Sequence, residues 1–321
     1  VTPADLLDDA RRGDRRALAQ LLSSVERGDQ DSHELARLAH AAAGDAHTVG
    51  ITGAPGAGKS TLTSATVAEV RRRGDRVAVL AIDPSSPFTG GALLGDRTRM
   101  NDHALDRGVF IRSMATRGHL GGLALATPEA IRLLDAVGFP WVLIETVGVG
   151  QVEVEVAGAA DTTVVVVNPG WGDSVQANKA GLMEIADVFV VNKADRPGAE
   201  QTVHDLEGML DLTRGAAAGD GEGSRSNWRP PVVAAVGTTG QGVEELWDAI
   251  GRHREHLERS GELAARRSAR IHDEVQLIVE RRLRAEAEEL LGAVGREALD
   301  ADLVAGRIDP WTAADRILGS R

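Results

Sequence analysis

The chain has no cysteine and only three lysines among its 321 residues, against thirty-three arginines. The first absence excludes disulfides, thiolate metal sites and a cysteine nucleophile, and it fits a reducing compartment. No uncharged apolar run reaches the ~18–20 residues that a membrane span needs. The opening residues, Val1-Thr2-Pro3-Ala4-Asp5, lack the basic-then-apolar layout of a signal peptide. A soluble, cytoplasmic protein is therefore expected. The net charge of −12 argues against nonspecific nucleic-acid binding.

The lysine shortage is informative in a second way. A composition this skewed uses arginine wherever a generic cation will serve, so the surviving lysines mark places that need a compact ammonium on a flexible stem. Two of them, Lys59 and Lys193, fall inside nucleotide-binding motifs, and the third, Lys179, belongs to neither.

At 42% hydrophobic residues, the chain can bury one substantial core with appendages or two modest domains. Residues 1 to 46 read as a helical extension, with Leu18, Leu21, Leu22 and Val25 on one stripe and Leu35, Leu38, Ala39 and Ala42 on another. From 47 to 255 short β-branched runs alternate with helical stretches: Thr48–Ile51, Val77–Ile82, Val109–Ile111, Trp141–Ile144, Thr162–Val167, Val188–Val191 and Val232–Val236. Strands this continuously apolar predict an α/β fold with a mainly parallel sheet covered on both faces. After Val243 one long helical tract is expected, and 256–321 reads as a C-terminal helical arm. Its stripe of Ile271, Val275, Ile278, Val279, Leu283, Leu290 and Val294 is too long for its own sheet to cover. A homodimer built on this arm is expected, with removal of 262–321 leaving nucleotide binding largely intact. Asp309-Pro310-Trp311 opens a last helix, 215–226 reads as a flexible loop, and His33, His40, His253 and His256 fall on polar, solvated helix faces.

The first chemical motif is Gly53-Ala54-Pro55-Gly56-Ala57-Gly58-Lys59-Ser60, followed by Thr61, between an apolar strand and a helix-forming segment. Such a loop cradles phosphate oxygens with backbone amides, while Lys59 reaches the β- and γ-phosphates and the Ser60 hydroxyl ligates Mg²⁺. The second is Asn192-Lys193-Ala194-Asp195 at the end of an apolar strand. A carboxylate there accepts hydrogen bonds from guanine N1–H and the 2-amino group, donors that adenine lacks, so GTP is read in preference to ATP. Between them, Asp83 and Glu145 each follow an apolar strand, where Mg²⁺ or its water shell is held. Asp96, in Leu94-Gly95-Asp96-Arg97-Thr98-Arg99-Met100, is ambiguous taken by itself.

Several stretches occur in a telling order: Asp83-Pro84-Ser85-Ser86-Pro87-Phe88-Thr89-Gly90-Gly91, Leu94 to Met100, Met114-Ala115-Thr116-Arg117-Gly118, Glu145-Thr146-Val147-Gly148-Val149-Gly150-Gln151, and Gly172-Asp173-Ser174-Val175-Gln176-Ala177-Asn178-Lys179-Ala180-Gly181. Nearly the whole chain resembles the MeaB/ArgK family of P-loop GTPases, the chaperones of adenosylcobalamin-dependent acyl-CoA mutases such as methylmalonyl-CoA mutase. The resemblance implies a P-loop NTPase fold with an N-terminal helical extension and a C-terminal dimerisation arm, GTP/GDP and Mg²⁺ as ligands, and an acyl-CoA mutase as partner. From charge and hydropathy, no nucleic acid or membrane partner is expected. Lys59, Ser60, Asp83, Asp96 and Glu145 match the family's phosphate, magnesium and catalytic positions, and Asp173, Gln176 and Lys179 match the segment that relays nucleotide state to the mutase. Arg97, Arg99 and Arg117 are the candidate charge stabilisers. Where the family carries Ser-Ala near guanine O6, this chain has Val236-Gly237-Thr238. Because O6 is read by a backbone N–H, Gly237 can substitute there.

Two other functions compete. A nickel-delivering GTPase needs thiolate or clustered imidazole ligands. A transport-linked ATPase would not carry a guanine-type motif.

Overall fold

The computed structural model describes residues 1–28, 30–84, 100–103, 105–116, 122–146, 158–171, 176–217, 227–293 and 296–318. Among the described residues seven strands form one sheet: β1 His47–Gly53, β2 Val77–Pro84, β3 Val109–Thr116, β4 Trp141–Thr146, β5 Thr162–Val167, β6 Val188–Asn192 and β7 Val232–Ala235. Their order is β3-β2-β4-β1-β5-β6-β7, with every neighbouring pair parallel. All seven runs expected from the sequence are strands. The chain leaves β1 toward β2 and leaves the neighbouring β5 toward β6, in opposite directions, which opens a crevice at their carboxyl ends.

Helices cover both faces. They are α1 Pro3–Arg11, α2 Arg15–Arg27, α3 Gln30–Ala42, α4 Lys59–Arg72, α5 Gly122–Ala136, α6 Gln176–Ile185, α7 Ala199–Ala217, α8 Val243–Ser260, α9 Glu262–Ala293, α10 Arg296–Val304 and α11 Pro310–Leu318. Strand alternation sorts the core. Ala78, Leu80 and Ile82 of β2 pack with α1, α2, α3 and α5 on one face, whereas Val77 and Val79 pack with α4 and α8 on the other. Val165, Val167, Phe189 and Val191 extend the first face under α6 and α7. The N-terminal helices are thus a covering layer, and Leu18, Leu21, Leu22 and Val25 are its buried stripe. Thr2 and Asp5 form a reciprocal capping box at the start of α1, with Pro3 in the first turn.

The chain divides into two compact units, 1–270 and 271–321. The long tract expected after Val243 is two helices: Gly261, left-handed at φ +78°, ends α8 before α9 begins. Within the second unit Asp309 caps α11 by accepting the Trp311 and Thr312 amides, as its sequence suggests. Residues 215–217 end α7, and the rest of the 215–226 stretch lies outside the described residues. Among the described residues no helix is long and apolar enough to cross a membrane.

At the amino ends of the strands lies a polar cluster that the sequence did not announce. Asp161, just before β5, is buried and accepts from Arg267, from Arg270 and from the Thr48 amide. Asp187, just before β6, accepts three bonds from Arg266 and one from the Thr163 amide. Burial by itself raises both carboxyl pKa values, but the facing guanidiniums and, for Asp187, His253 outweigh it and hold both carboxyls below their usual range. His253 corrects an expectation: it is not solvated but fully buried, because α8 turns it inward against β5. His33 and His40 are exposed as expected, and His256 is half-buried beside Trp228.

The Thr162 hydroxyl joins His47 Nε2 and His253 Nδ1, each at 2.8 Å. A hydroxyl has one proton, so it donates to one ring and accepts from the other. His253 Nε2 lies 3.2 Å from Asp187 Oδ1, and His47 Nδ1 lies 3.8 Å from Asp161 Oδ2. Burial pushes the His47 pKa from 6.5 to about 4, with the Asp161 carboxylate opposing it. A folded pKa below the unfolded one means that stability is full above pH 6.5 and falls as pH drops toward 4. Between pH 7.5 and 5 this group should cost about 2 kcal/mol of unfolding free energy. Urea denaturation of the protein and of His47→Gln at both pH values checks it, since the variant should lose less by about that amount.

Candidate functional site

The phosphate loop leaves the carboxyl end of β1 and enters α4. Gly53 has φ +136°, and a Cβ on it would strike the Val166 carbonyl of β5; at Gly58, φ +86°, a Cβ would come within 2.5 Å of Asn192 Nδ2. Only glycine allows these approaches. Side chains hold the loop's carbonyls one after another. Lys59 Nζ donates to Gly53 O at 2.6 Å and to Ala54 O at 3.2 Å, and Lys193 Nζ donates to Gly56 O at 2.6 Å. Asn192 Nδ2 donates to Ala57 O at 2.8 Å. In a loop of alternating handedness, carbonyls turned to one side leave N–H groups on the other, which is the form of an anion nest. Among the described residues no side chain caps α4 at Gly58, so its positive end also faces this concavity.

Ser60, in the first turn of α4, donates its hydroxyl to Glu145 Oε1 at 2.5 Å. Glu145 is fully buried on β4, paired in register with Ile51 of β1. A hydroxyl and a carboxylate at the mouth of a phosphate loop make an oxygen-only donor set, which fits a hard dication such as Mg²⁺ that takes its remaining ligands from water and phosphate. Asp83 is the seventh residue of β2, the strand beside β4, so it too lies at the carboxyl edge. Asp96, Arg97, Arg99, Arg117 and Asp173 lie outside the described residues. Gln176 and Lys179 fall in the first turns of α6.

The guanine-type motif is tied to the phosphate loop by Asn192, the last residue of β6. Its Oδ1 accepts the Gly237 N–H at 3.1 Å while its Nδ2 reaches Ala57. One side chain thereby fixes the spacing of three loops. Lys193 takes φ +60°, rare for a residue with a side chain, and the Ala194 amide bonds to Ala235 O at 3.0 Å. Asp195 follows, exposed at the rim. Gly237 gives its N–H to Asn192, and the next residue, Thr238, is exposed. Val236 is buried and bridges to Gln241.

Sequence reasoning missed Asn168, immediately after β5, whose Nδ2 reaches Gly56 O at 3.4 Å. Its signal was slight: a polar residue ending the apolar run Thr162–Val167, before Pro169-Gly170.

Comparison with known proteins follows the same lines. The sequence profile of the methylmalonyl-CoA mutase-associated GTPase MeaB matches residues 16–290. A Pyrococcus abyssi protein provisionally named a GTPase is 50% identical over 98% of this chain and 95% of its own. The mouse methylmalonic aciduria type A homolog, mitochondrial, is 40% identical over 68% of this chain and 52% of its own. The crystal structure of a LAO/AO transport system kinase superposes with a TM-score of 0.66 at 27% identity, covering 99% of this chain and 96% of that one.

Proposed function

We propose a working cycle on the premise that this chain belongs to the methylmalonyl-CoA mutase-associated GTPase family, the MeaB family, and is a GTPase. In this reading GTP binding and hydrolysis gate the loading of adenosylcobalamin into an acyl-CoA mutase and protect or reactivate that enzyme. The observation that supports its nucleotide half is the Asn192 tie, which joins the Asn192-Lys193-Ala194-Asp195 stretch to the phosphate loop. Lys59 and the amides of 53–61 hold the phosphates, and Asp195 with the Thr238 amide reads guanine. Ser60, Asp83, Asp96 and Glu145 hold Mg²⁺ and its waters. When bound, Mg²⁺ neutralises charge developing on the phosphate oxygens. On releasing Ser60, Glu145 becomes an acceptor that can orient a water.

Asp173, Gln176 and Lys179 report nucleotide state to the mutase. A point charge that changes partners suits lysine better than a rigid bidentate arginine. Lys179→Ala should leave GTP affinity within about threefold, under ~0.7 kcal/mol, and should abolish or invert the mutase's effect on hydrolysis. The test is GTP hydrolysis with and without an adenosylcobalamin-dependent acyl-CoA mutase, alongside nucleotide binding; a variant still fully activated removes Lys179 from the relay.

The homodimer belongs to the same reading. On α9, Ile271, Val275, Val279 and Leu283 are all about half exposed, at helical spacing. Light scattering should give twice the chain mass at micromolar concentration, and Val275→Glu with Leu283→Glu should halve it. A full-length monomer would overturn the assignment.

A further inference from the structure

The amino edge of the sheet carries a second site, away from the phosphate loop. Between α1, α2 and the starts of β3 and β4 lies a recess of about 30 Å³ whose rim carries Arg15, Arg76 and Arg107. In a chain of net charge −12 these three pair with no carboxylate among the described residues. Arg76 lies 4.3 Å from the centre of the Phe139 ring and donates one edge to the Gly138 carbonyl at 3.2 Å. Arg15 lies over Phe110 and donates to the Asp106 carbonyl at 2.9 Å. Each aromatic face restrains a guanidinium and reduces the ordering that binding would require. The carboxylates nearby are engaged: Asp14, on the recess wall, caps α2 through the Arg16 and Ala17 amides, and Asp106 pairs with Arg71 at 2.8 Å. Burial and the neighbouring Arg71 both lower the Arg76 pKa, so an anion here would relieve a real cost.

We propose that this recess is a docking site for an aspartate or glutamate side chain of a partner protein. The recess is small and open to solvent, so a carboxylate at the end of a side chain can reach the three guanidiniums. Leu105, on the same loop as Arg107, is 96% exposed. A free ion cannot use that apolar contact, whereas a protein segment can, and arginine is enriched at protein interfaces.

The probe is a blocked hexaglutamate peptide titrated into the full chain by calorimetry at low salt. Saturable binding is expected, and Arg107→Gln should weaken it about tenfold, the loss of one charge-assisted bond. Arg107 is exposed and far from the nucleotide loop, so the variant should keep wild-type thermal stability and GTP binding. Leu105→Ser should weaken peptide binding as well, and Arg282→Gln on α9 should not. Absence of saturable binding overturns the proposal, as does binding indifferent to Arg107→Gln. Displacement of the peptide by equimolar inorganic phosphate also overturns it, because the site would then be one for free anions.

Discussion

A chain ending at residue 261 should fail to fold its nucleotide-binding unit, whereas a chain ending at Arg270 should fold and bind GTP. The nine residues between supply Arg266, Arg267 and Arg270, which satisfy two carboxylates buried at the amino ends of β5 and β6. Arg267 also donates to the Gly44 and Ala46 carbonyls, so it holds the link from the helical layer into β1. Removing one partner of a buried pair costs about 3–5 kcal/mol, because the remaining charge stays in low dielectric. Two such losses approach the whole stability of a domain, about 5–15 kcal/mol. The expectation that 262–321 can be removed with little effect on nucleotide binding therefore gives way to a cut after Arg270. Circular dichroism melts and GTP titration of chains 1–261 and 1–270 decide it; equal midpoints for the two would show that the arginine contacts contribute nothing.

What could be read beforehand, and what could not, follows from how each feature is encoded. The sheet was legible because strands buried on both faces leave unbroken runs such as Thr162–Val167 and Val188–Val191. The phosphate loop was legible because Gly53 and Gly58 have no substitute at those backbone angles and contacts. The clamp on Asp161 and Asp187 was hidden. A single aspartate before a strand looks like a turn residue, and its arginine partners lie about eighty to a hundred residues away in sequence. His253 was misread for a related reason: helix periodicity allots it to a face bounded by Arg252 and Arg254, and only the packing of α8 on β5 shows that this face is buried. Gly261 passed unnoticed inside a tract of helix formers, although it splits the tract in two.

Exchanging Asp195 for asparagine should remove GTP binding by about a hundredfold or more and create binding of xanthosine triphosphate. The carboxylate is the acceptor proposed for guanine N1–H and the 2-amino group, and each bond to a charged acceptor contributes about 1.5–3 kcal/mol. Asparagine offers a carbonyl acceptor and an NH₂ donor group, which suits the xanthine ring, where an oxygen replaces the amine. The loop that presents residue 195 does not depend on it: the Ala194 amide is held by Ala235, Lys193 by Gly56 and Asn192 by two loops, while Asp195 itself is exposed. The variant should therefore melt at the wild-type temperature, so a loss of GTP cannot be laid to misfolding. Asn192→Ala should behave differently. It releases the spacing between the base and phosphate loops, so it should weaken GTP, GDP and xanthosine triphosphate together. Calorimetric titration of both variants with all three nucleotides separates reading the base from setting the distance. If Asp195→Asn keeps its GTP affinity, or loses it without gaining xanthosine triphosphate, then Asp195 is not the residue that reads the ring.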